Sequence, residues 1–176
     1  DPVGVYLSAV RNVRMSDQMA RGFCRAFVNL DPGCWGFEMT GYRRGGGSNA
    51  DLLASSCHDI KCRDWDFDPT GAYVHERGYV RASIALRTRC KGVDIEACRF
   101  GRAAVGIECY GGHEVRIASV RFHDLDGTRR SKRSEPPLDQ SDRCGVALNF
   151  GSISVEALTE FSQGMLVDGV FCENIR

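Results

Sequence analysis

A short pattern of apolar residues recurs six times along the chain, with an apolar side chain at a starting position and again two, five and often seven residues later. The copies start at Val13, Phe37, Ile60, Val93, Val115 and Met165. Three intervals between successive starts are 24, 23 and 22 residues, and the other two are lengthened by polar insertions. A fixed period in the low twenties is typical of a repeat architecture.

Within each copy, the first two apolar positions alternate as in a β-strand, the step to the third resets the phase, and the last two alternate again. Each copy therefore predicts two strands joined by a bend. A third strand precedes most starts, with apolar residues Val5 and Leu7, Val28 and Leu30, Leu53, Ile84 and Leu86, and Val105, Ile107 and Cys109. Three short strands per repeat predict a parallel β-helix, in which corresponding residues of successive repeats become vertical neighbours.

Segments such as Cys90–Phe100 and Val115–Phe122 carry the pattern most clearly, and nearly the whole chain resembles the pectin-lyase-like β-helix proteins. The resemblance implies an all-β fold: a right-handed, single-stranded parallel β-helix (solenoid) of about six coils, with one domain over residues 1–176. Its catalytic motifs are absent, both the polygalacturonase-like Asn-Thr-Asp, Asp-Asp, Gly-His-Gly and Arg-Ile-Lys and the pectate-lyase-like Trp-Ile-Asp-His. No catalytic residue is therefore carried over by motif.

Polar insertions at 43–50, 69–82 and 124–144 all follow the last strand of a repeat. We expect them to emerge as long loops from one edge of the solenoid, with the tight turn at Gly101 between the two larger ones forming the floor of a cleft. A further insertion contains Ser154–Phe161, for which a short helix capped by Ser154 is favoured, with an irregular strand as the alternative.

Composition excludes some classes of partner. The chain has 23 basic and 23 acidic side chains and no net charge, so no global field steers it toward nucleic acid or an anionic membrane. No apolar run approaches the eighteen or so residues that span a bilayer. The chain begins without Met, and both predicted ends leave open strand edges, which invite association. We expect a fragment of a longer chain or an assembly. The chain also resembles phage tailspikes of this β-helix type, and that resemblance implies a homotrimer.

The nine cysteines are many, and their number is odd. Cys34, Cys57 and Cys90 each lie three residues before a repeat start, so we expect them to stack about 4.8 Å apart on successive coils. A ladder of reduced thiols is favoured, with a disulfide or a thiolate metal site as alternatives. An unpaired set favours folding in a reducing compartment.

The segment Arg63–Asp68 is the strongest chemical candidate. Trp65 and Phe67 occupy inward positions, so Asp64, Asp66 and Asp68 are predicted to share the outward face, about 6.6 Å apart along the strand. Pairs of carboxylates near this spacing suit inverting glycoside hydrolysis. The bland alternative is a solvated sheet face, with Asp66 in a salt bridge.

Side chains around these acids would contact a sugar. Arg99 and Arg121 fall at the position of Asp66 in later repeats, and His123 follows two residues on. Tyr73 and His75 lie in the first long loop, where a tyrosine can stack on a sugar ring. No cofactor is required, although the resemblance implies that lyases of this kind use acidic faces with calcium and an arginine base, so calcium binding by the three carboxylates is an alternative.

The sequence therefore predicts a carbohydrate-engaging β-helix of phage tailspike type, a glycosidase or lyase that acts on an acidic polysaccharide, on a virion or outside the cell. The alternative from another class is a noncatalytic structural or receptor-binding stalk. The absence of every catalytic motif of the resembling family favours that alternative.

Overall fold

The computed structural model describes residues 3–23, 26–47, 50–67, 80–125, 146–155 and 158–175. Every regular element in these ranges is a β-strand, and nearly all neighbouring strands run parallel. The expectation of an all-β chain with parallel sheets is therefore confirmed. None of the residues described here belongs to a helix with the length and hydrophobicity needed to cross a membrane.

The first sheet contains seven strands in the order β1-β4-β7-β10-β13-β15-β16. They are β1 (Val3–Leu7), β4 (Ala26–Leu30), β7 (Ala50–Ser55), β10 (Val80–Arg87), β13 (Ala103–Tyr110), β15 (Val146–Val155) and β16 (Leu158–Phe161). All pairings in this sheet are parallel except the last, where β16 folds back antiparallel on the end of β15.

The second sheet stacks the strands that follow those of the first. They are β2 (Arg11–Ser16), β5 (Trp35–Thr40), β8 (His58–Arg63), β11 (Lys91–Glu96), β14 (His113–His123) and β17 (Gln163–Glu173). The far half of β14 also pairs with β12 (Arg99–Gly101). The third sheet holds β3 (Met19–Phe23), β6 (Arg43–Gly47) and β9 (Asp66–Phe67).

In its first three passages the chain visits the three sheets in turn, and we call each passage a layer: β1 to β3, β4 to β6, and β7 to β9. The fourth layer is β10 to β12, in which β12 pairs with the far half of β14. The Arg99 amide of β12 donates to the carbonyl of Trp65, which joins the fourth layer to the third beside β9. Each layer thus lies on the previous one through backbone hydrogen bonds.

The strand register confirms the predicted vertical neighbours. Val13 pairs with Phe37, Phe37 with Ile60, Ile60 with Val93, Val93 with Val115, and Val115 with Met165. The long intervals in the sequence therefore do not disturb the register. In the first sheet the buried column passes through Leu52 rather than Leu53, which lies on the other side of the strand and corrects that one assignment.

Columns of residues with positive φ explain the phase reset within each repeat. One column contains Asp17, Gly41, Asp64, Ala97, Ser119 and Gly169, with φ between 53° and 70°. This left-handed conformation turns the chain sharply, and it is tolerated best by Gly, Asn and Asp. Strands β2, β5, β8 and β11 therefore end at this corner, whereas β14 and β17 continue around it.

The interior is largely apolar and contains a row of aromatic rings. Tyr42 and Trp65 meet edge to face with centroids 5.0 Å apart, and Phe100 and Phe122 stack at 5.6 Å. Trp65 and Phe100 connect the two pairs at 6.3 Å. These are the third and fourth apolar positions of the repeats, so the aromatic row lies directly inside the corner described above.

Two local predictions are wrong. Ser154 belongs to β15, and β16 covers Leu158–Phe161, so the described part of the expected helix is an antiparallel hairpin. Arg43–Gly47, expected to be a loop, is strand β6 of the third sheet, where it pairs with β3 and β9. Most of the two longer predicted loops, together with the cleft that depends on them, lies outside the described residues.

Candidate functional site

A groove of about 560 Å³ follows the corner between the second and third sheets. Its lining comes from four successive layers: Asp17, Gln18 and Met19; Gly41 and Arg43; Asp64, Trp65 and Asp66; Ala97 and Arg99. Three of the predicted site residues, Asp64, Asp66 and Arg99, therefore lie together in one surface depression. A groove with converging polar groups is the usual setting of a binding site.

The positive-φ column forms the wall of this groove. Backbone amides of the corner residues bond to the next layer, from Asp17 to Thr40 at 2.9 Å and from Gly41 to Arg63 at 3.1 Å. The Trp65 side chain closes the floor, and its Nε1 donates to the carbonyl of Met39 at 2.9 Å. The groove is thus held by backbone pairing and by a fixed indole.

Asp66 sits between two arginines on the outward face of adjacent layers. Its Oδ2 lies 2.5 Å from Nη2 of Arg99, and its register partner on the other side is Arg43. The side chains of Asp66 and Arg99 are 33% and 60% exposed, so solvent screens the pair. An ion pair of this kind contributes between 0 and about 1 kcal/mol to stability.

Asp64 differs from Asp66 in both backbone and partners. It lies at the corner with φ 54°, after β8 ends at Arg63, so the predicted single strand through Asp64 and Asp66 is interrupted. Its side chain is exposed and forms no ion pair with any residue that the structure describes. The groove therefore presents one carboxylate engaged by arginine and one open to solvent.

Arg121 and His123 lie beyond the groove. Arg121 is the register partner of Arg99, and its guanidinium carbon lies 5.6 Å from the ring centroid of Phe171. His123 stands next to Gly101, whose lack of a side chain leaves room for the imidazole. Its Nδ1 is 3.4 Å from a carboxylate oxygen of Asp124. Arg121 therefore continues the column of Arg43, Asp66 and Arg99 by one layer, whereas His123 contacts its sequence neighbour Asp124.

Three further predicted residues, Asp68, Tyr73 and His75, lie outside the described residues. Within the described ranges, no group of three or more His, Cys, Asp or Glu side chains is placed to hold a metal ion. The roles predicted for all these side chains stay predictions.

A buried polar cluster beneath the groove was not predicted. Arg44 and Asp51, each 2% exposed, form an ion pair of 3.4 Å, and the Tyr42 hydroxyl donates to Asp51 at 2.9 Å. Arg44 also donates to the carbonyl of Gly101, two layers away. Burial raises the pKa of Asp51 to about 6, against the lowering effect of the Arg44 charge. The sequence signal was available, since Arg44 interrupts an otherwise largely apolar column.

The cysteines form a ladder of free thiols. Cys34, Cys57 and Cys90 are buried and unpaired by disulfide, and the amides of His58 and Lys91 bond to the carbonyls of the first two. In the next layer Gly112 takes this position, and the space where its side chain would lie is filled by the sulfur of Cys109. Burial raises the pKa of Cys57 to about 12, so the thiol form is strongly favoured.

Comparisons of the chain with protein families, with curated proteins and with solved structures give no match.

Proposed function

We propose that the groove binds an acidic polysaccharide and that its carboxylates act on the glycosidic linkage. The observation that supports this most directly is that carboxylates and arginines line the same corner. Asp64 is open to solvent, and Asp66 lies between Arg43 and Arg99. Arginine recognises carboxylates through two parallel hydrogen bonds. Two carboxylates flanking a bond are the usual requirement for glycoside hydrolysis.

The architecture we propose for the stacked sheets is a right-handed parallel β-helix of pectin-lyase-like, tailspike type. In its first three layers the chain visits three parallel sheets in a fixed order, and parallel crossover connections are right-handed in nearly all proteins. In such a solenoid a groove along one corner offers equivalent positions in every layer, which suits a polymer with a repeating unit.

Substrate binding would change the state of Asp66. In the free protein its carboxylate is engaged by Arg99 at 2.5 Å. A sugar carboxylate competes for the same guanidinium, and its binding releases Asp66 toward the sugar chain. In this proposal Asp64, which lines the groove, accepts a proton from water or from the sugar ring. The ion pair thereby couples recognition of an acidic sugar to the availability of the second carboxylate.

The test uses a panel of acidic and neutral polysaccharides, with reducing ends measured for hydrolysis and unsaturated sugars for elimination. Added calcium and a chelator form separate arms of the experiment, because calcium binding by Asp64, Asp66 and Asp68 is the alternative to chemistry without a metal. Arg99→Ala is expected to weaken binding, and Asp64→Asn or Asp66→Asn to abolish turnover with binding retained. Arg14→Ala, which replaces an exposed arginine that does not line the groove, is the control. Failure of every acidic polysaccharide to bind would overturn the proposal.

The second candidate is a noncatalytic receptor-binding or structural stalk. It is favoured by the Asp66–Arg99 contact itself, since a carboxylate already engaged by a guanidinium is an ordinary surface ion pair. Binding without release of reducing ends or unsaturated sugars by the wild-type protein is the result that selects this candidate.

The proposed setting is a virion or the extracellular space, in a homotrimer or larger assembly. Two observations support it: the described cysteines are free thiols, as in proteins that fold in a reducing compartment, and β17 exposes the apolar side chains of Leu166 and Phe171. Sedimentation at several concentrations tests the assembly, and a concentration-independent monomer contradicts it.

A further inference from the structure

An exposed aromatic stack lies at the edge of the second sheet opposite the groove. Trp35, the first residue of β5, is 53% exposed, and its ring stacks on that of His58 with centroids 4.9 Å apart and planes inclined by 22°. The other tryptophan, Trp65, is only 2% exposed. A large aromatic ring that is held in a fixed orientation and is exposed to water offers a flat apolar surface to a ligand.

The stack belongs to an outward column that carries basic groups and no acid. In register order it contains Arg11, Trp35, His58, Lys91 and His113. Lys91 is paired with Glu114 at 3.2 Å. Arg11, next to Trp35, is exposed and has no ion pair with any residue in the described ranges. The Trp35 indole thus has the His58 imidazole packed on its face. Its other neighbour is the Arg11 guanidinium, whose charge no described carboxylate neutralises.

We propose that Trp35 and Arg11 form a second subsite, which binds an acidic sugar residue. The apolar face of a pyranose ring packs on an aromatic plane, and tryptophan offers the largest such plane with little conformational entropy to lose. The guanidinium of Arg11 pairs with the sugar carboxylate beside it. Because His58 already covers one face of the indole, the sugar binds on the side of Arg11.

This inference deepens the proposed function and rests on its substrate class, but it does not depend on the groove. The two sites lie at opposite ends of β5, which spans six residues and therefore roughly 17 Å. One polysaccharide chain crossing the outer face of the second sheet reaches both. The subsite therefore adds affinity by linking two contacts on one ligand.

The test is a fluorescence titration with oligogalacturonates and oligoglucuronates, with neutral cello-oligosaccharides for comparison. The chain has two tryptophans, so Trp35→Phe separates the exposed indole from the buried one. We expect acidic oligosaccharides to shift the wild-type emission to shorter wavelength, and the shift to disappear in Trp35→Phe. Affinities of the variants are measured by titration calorimetry, because Trp35→Ala lacks the indole that reports binding, and Trp35→Ala and Arg11→Ala are each expected to weaken binding about tenfold. Arg116→Ala, on the same face of the second sheet but three layers away from β5, should leave affinity unchanged.

The outcomes separate this inference from the proposed function. Loss of binding in Arg99→Ala with wild-type affinity in Trp35→Ala and Arg11→Ala overturns the subsite and leaves the groove standing. The reverse pattern supports the subsite and overturns the groove. No binding of any acidic oligosaccharide overturns both. Self-association that Trp35→Ala abolishes, without any effect of oligosaccharides on the emission, identifies Trp35 as a contact between copies and also overturns the inference.

Discussion

Replacing Asp51 by Asn tests whether the buried cluster beneath the groove makes stability depend on pH. Asp51 is enclosed with Arg44 and Tyr42, and burial raises the pKa of its carboxyl from 3.8 to about 6. The folded protein therefore holds a proton on Asp51 more tightly than the unfolded chain does. The resulting stabilisation is fully present below pH 3.8 and is lost as the pH rises through about 6.

The magnitude follows from the two pKa values. A rise from 3.8 to about 6 corresponds to about 3 kcal/mol of folding free energy, gained as the pH falls from 7 to below 4. Other carboxylates titrate in the same range, so the quantity to follow is the difference between the wild type and Asp51→Asn. That difference is expected to change by about 3 kcal/mol in favour of the wild type over this interval.

The assay is urea unfolding at half-unit pH steps between about 3 and 7.5, monitored by tryptophan fluorescence. Asp59→Asn is the matched control, because Asp59 is about half exposed and pairs only with the surface residue Lys61. We expect the Asp51→Asn difference to change more with pH than the difference measured for this control. An Asp51→Asn difference that is constant with pH, or that grows as the pH rises, would refute the assignment of Asp51 as a buried, proton-binding carboxyl.

Three further changes test other parts of the structure. A methyl group at Gly106 would overlap the ring of Phe122, so Gly106→Ala is expected to lower the free energy of unfolding by about 1 to 3 kcal/mol, and an unchanged urea midpoint contradicts this packing. Asp94→Ala removes an outer-face contact of 2.8 Å to Arg116, and the expected loss of up to about 1 kcal/mol should shrink in high salt. Among the described cysteines, iodoacetamide should label exposed Cys172 first in the native protein, with peptide mass spectrometry as the readout; equal labelling of the buried thiols contradicts their burial.

The register was predictable because burial enforces it. A slip of one residue would place Ile60 and Val93 on the solvent side, so a periodic apolar pattern determines which residues pair. These two starts are 33 residues apart, so their spacing alone does not show that they occupy the same column. The inward positions still identify it, since both side chains must reach the same interior.

Other features depend on information that the pattern does not carry. The phase reset showed that each repeat bends, but not that Asp64 turns out of the strand, because several residues near a corner tolerate positive φ. Arg44 was visible as a charge in an apolar column, whereas its partner Asp51 lies in another strand among buried neighbours on both sides. The stretch after Ser154 has a plausible helix cap, and only its pairing with the end of β15 makes it a strand.

The continuous parallel register of the second sheet has a consequence for how such a chain can change in length. The step from Phe37 to Ile60 advances every sheet by one strand and returns each side chain to the same orientation. Duplicating or excising that whole block preserves the pattern of inward and outward residues. Losing a single residue within a strand inverts it for the remainder of that strand. A chain of this architecture can therefore lengthen only by whole repeats or by loops inserted at the corners between strands.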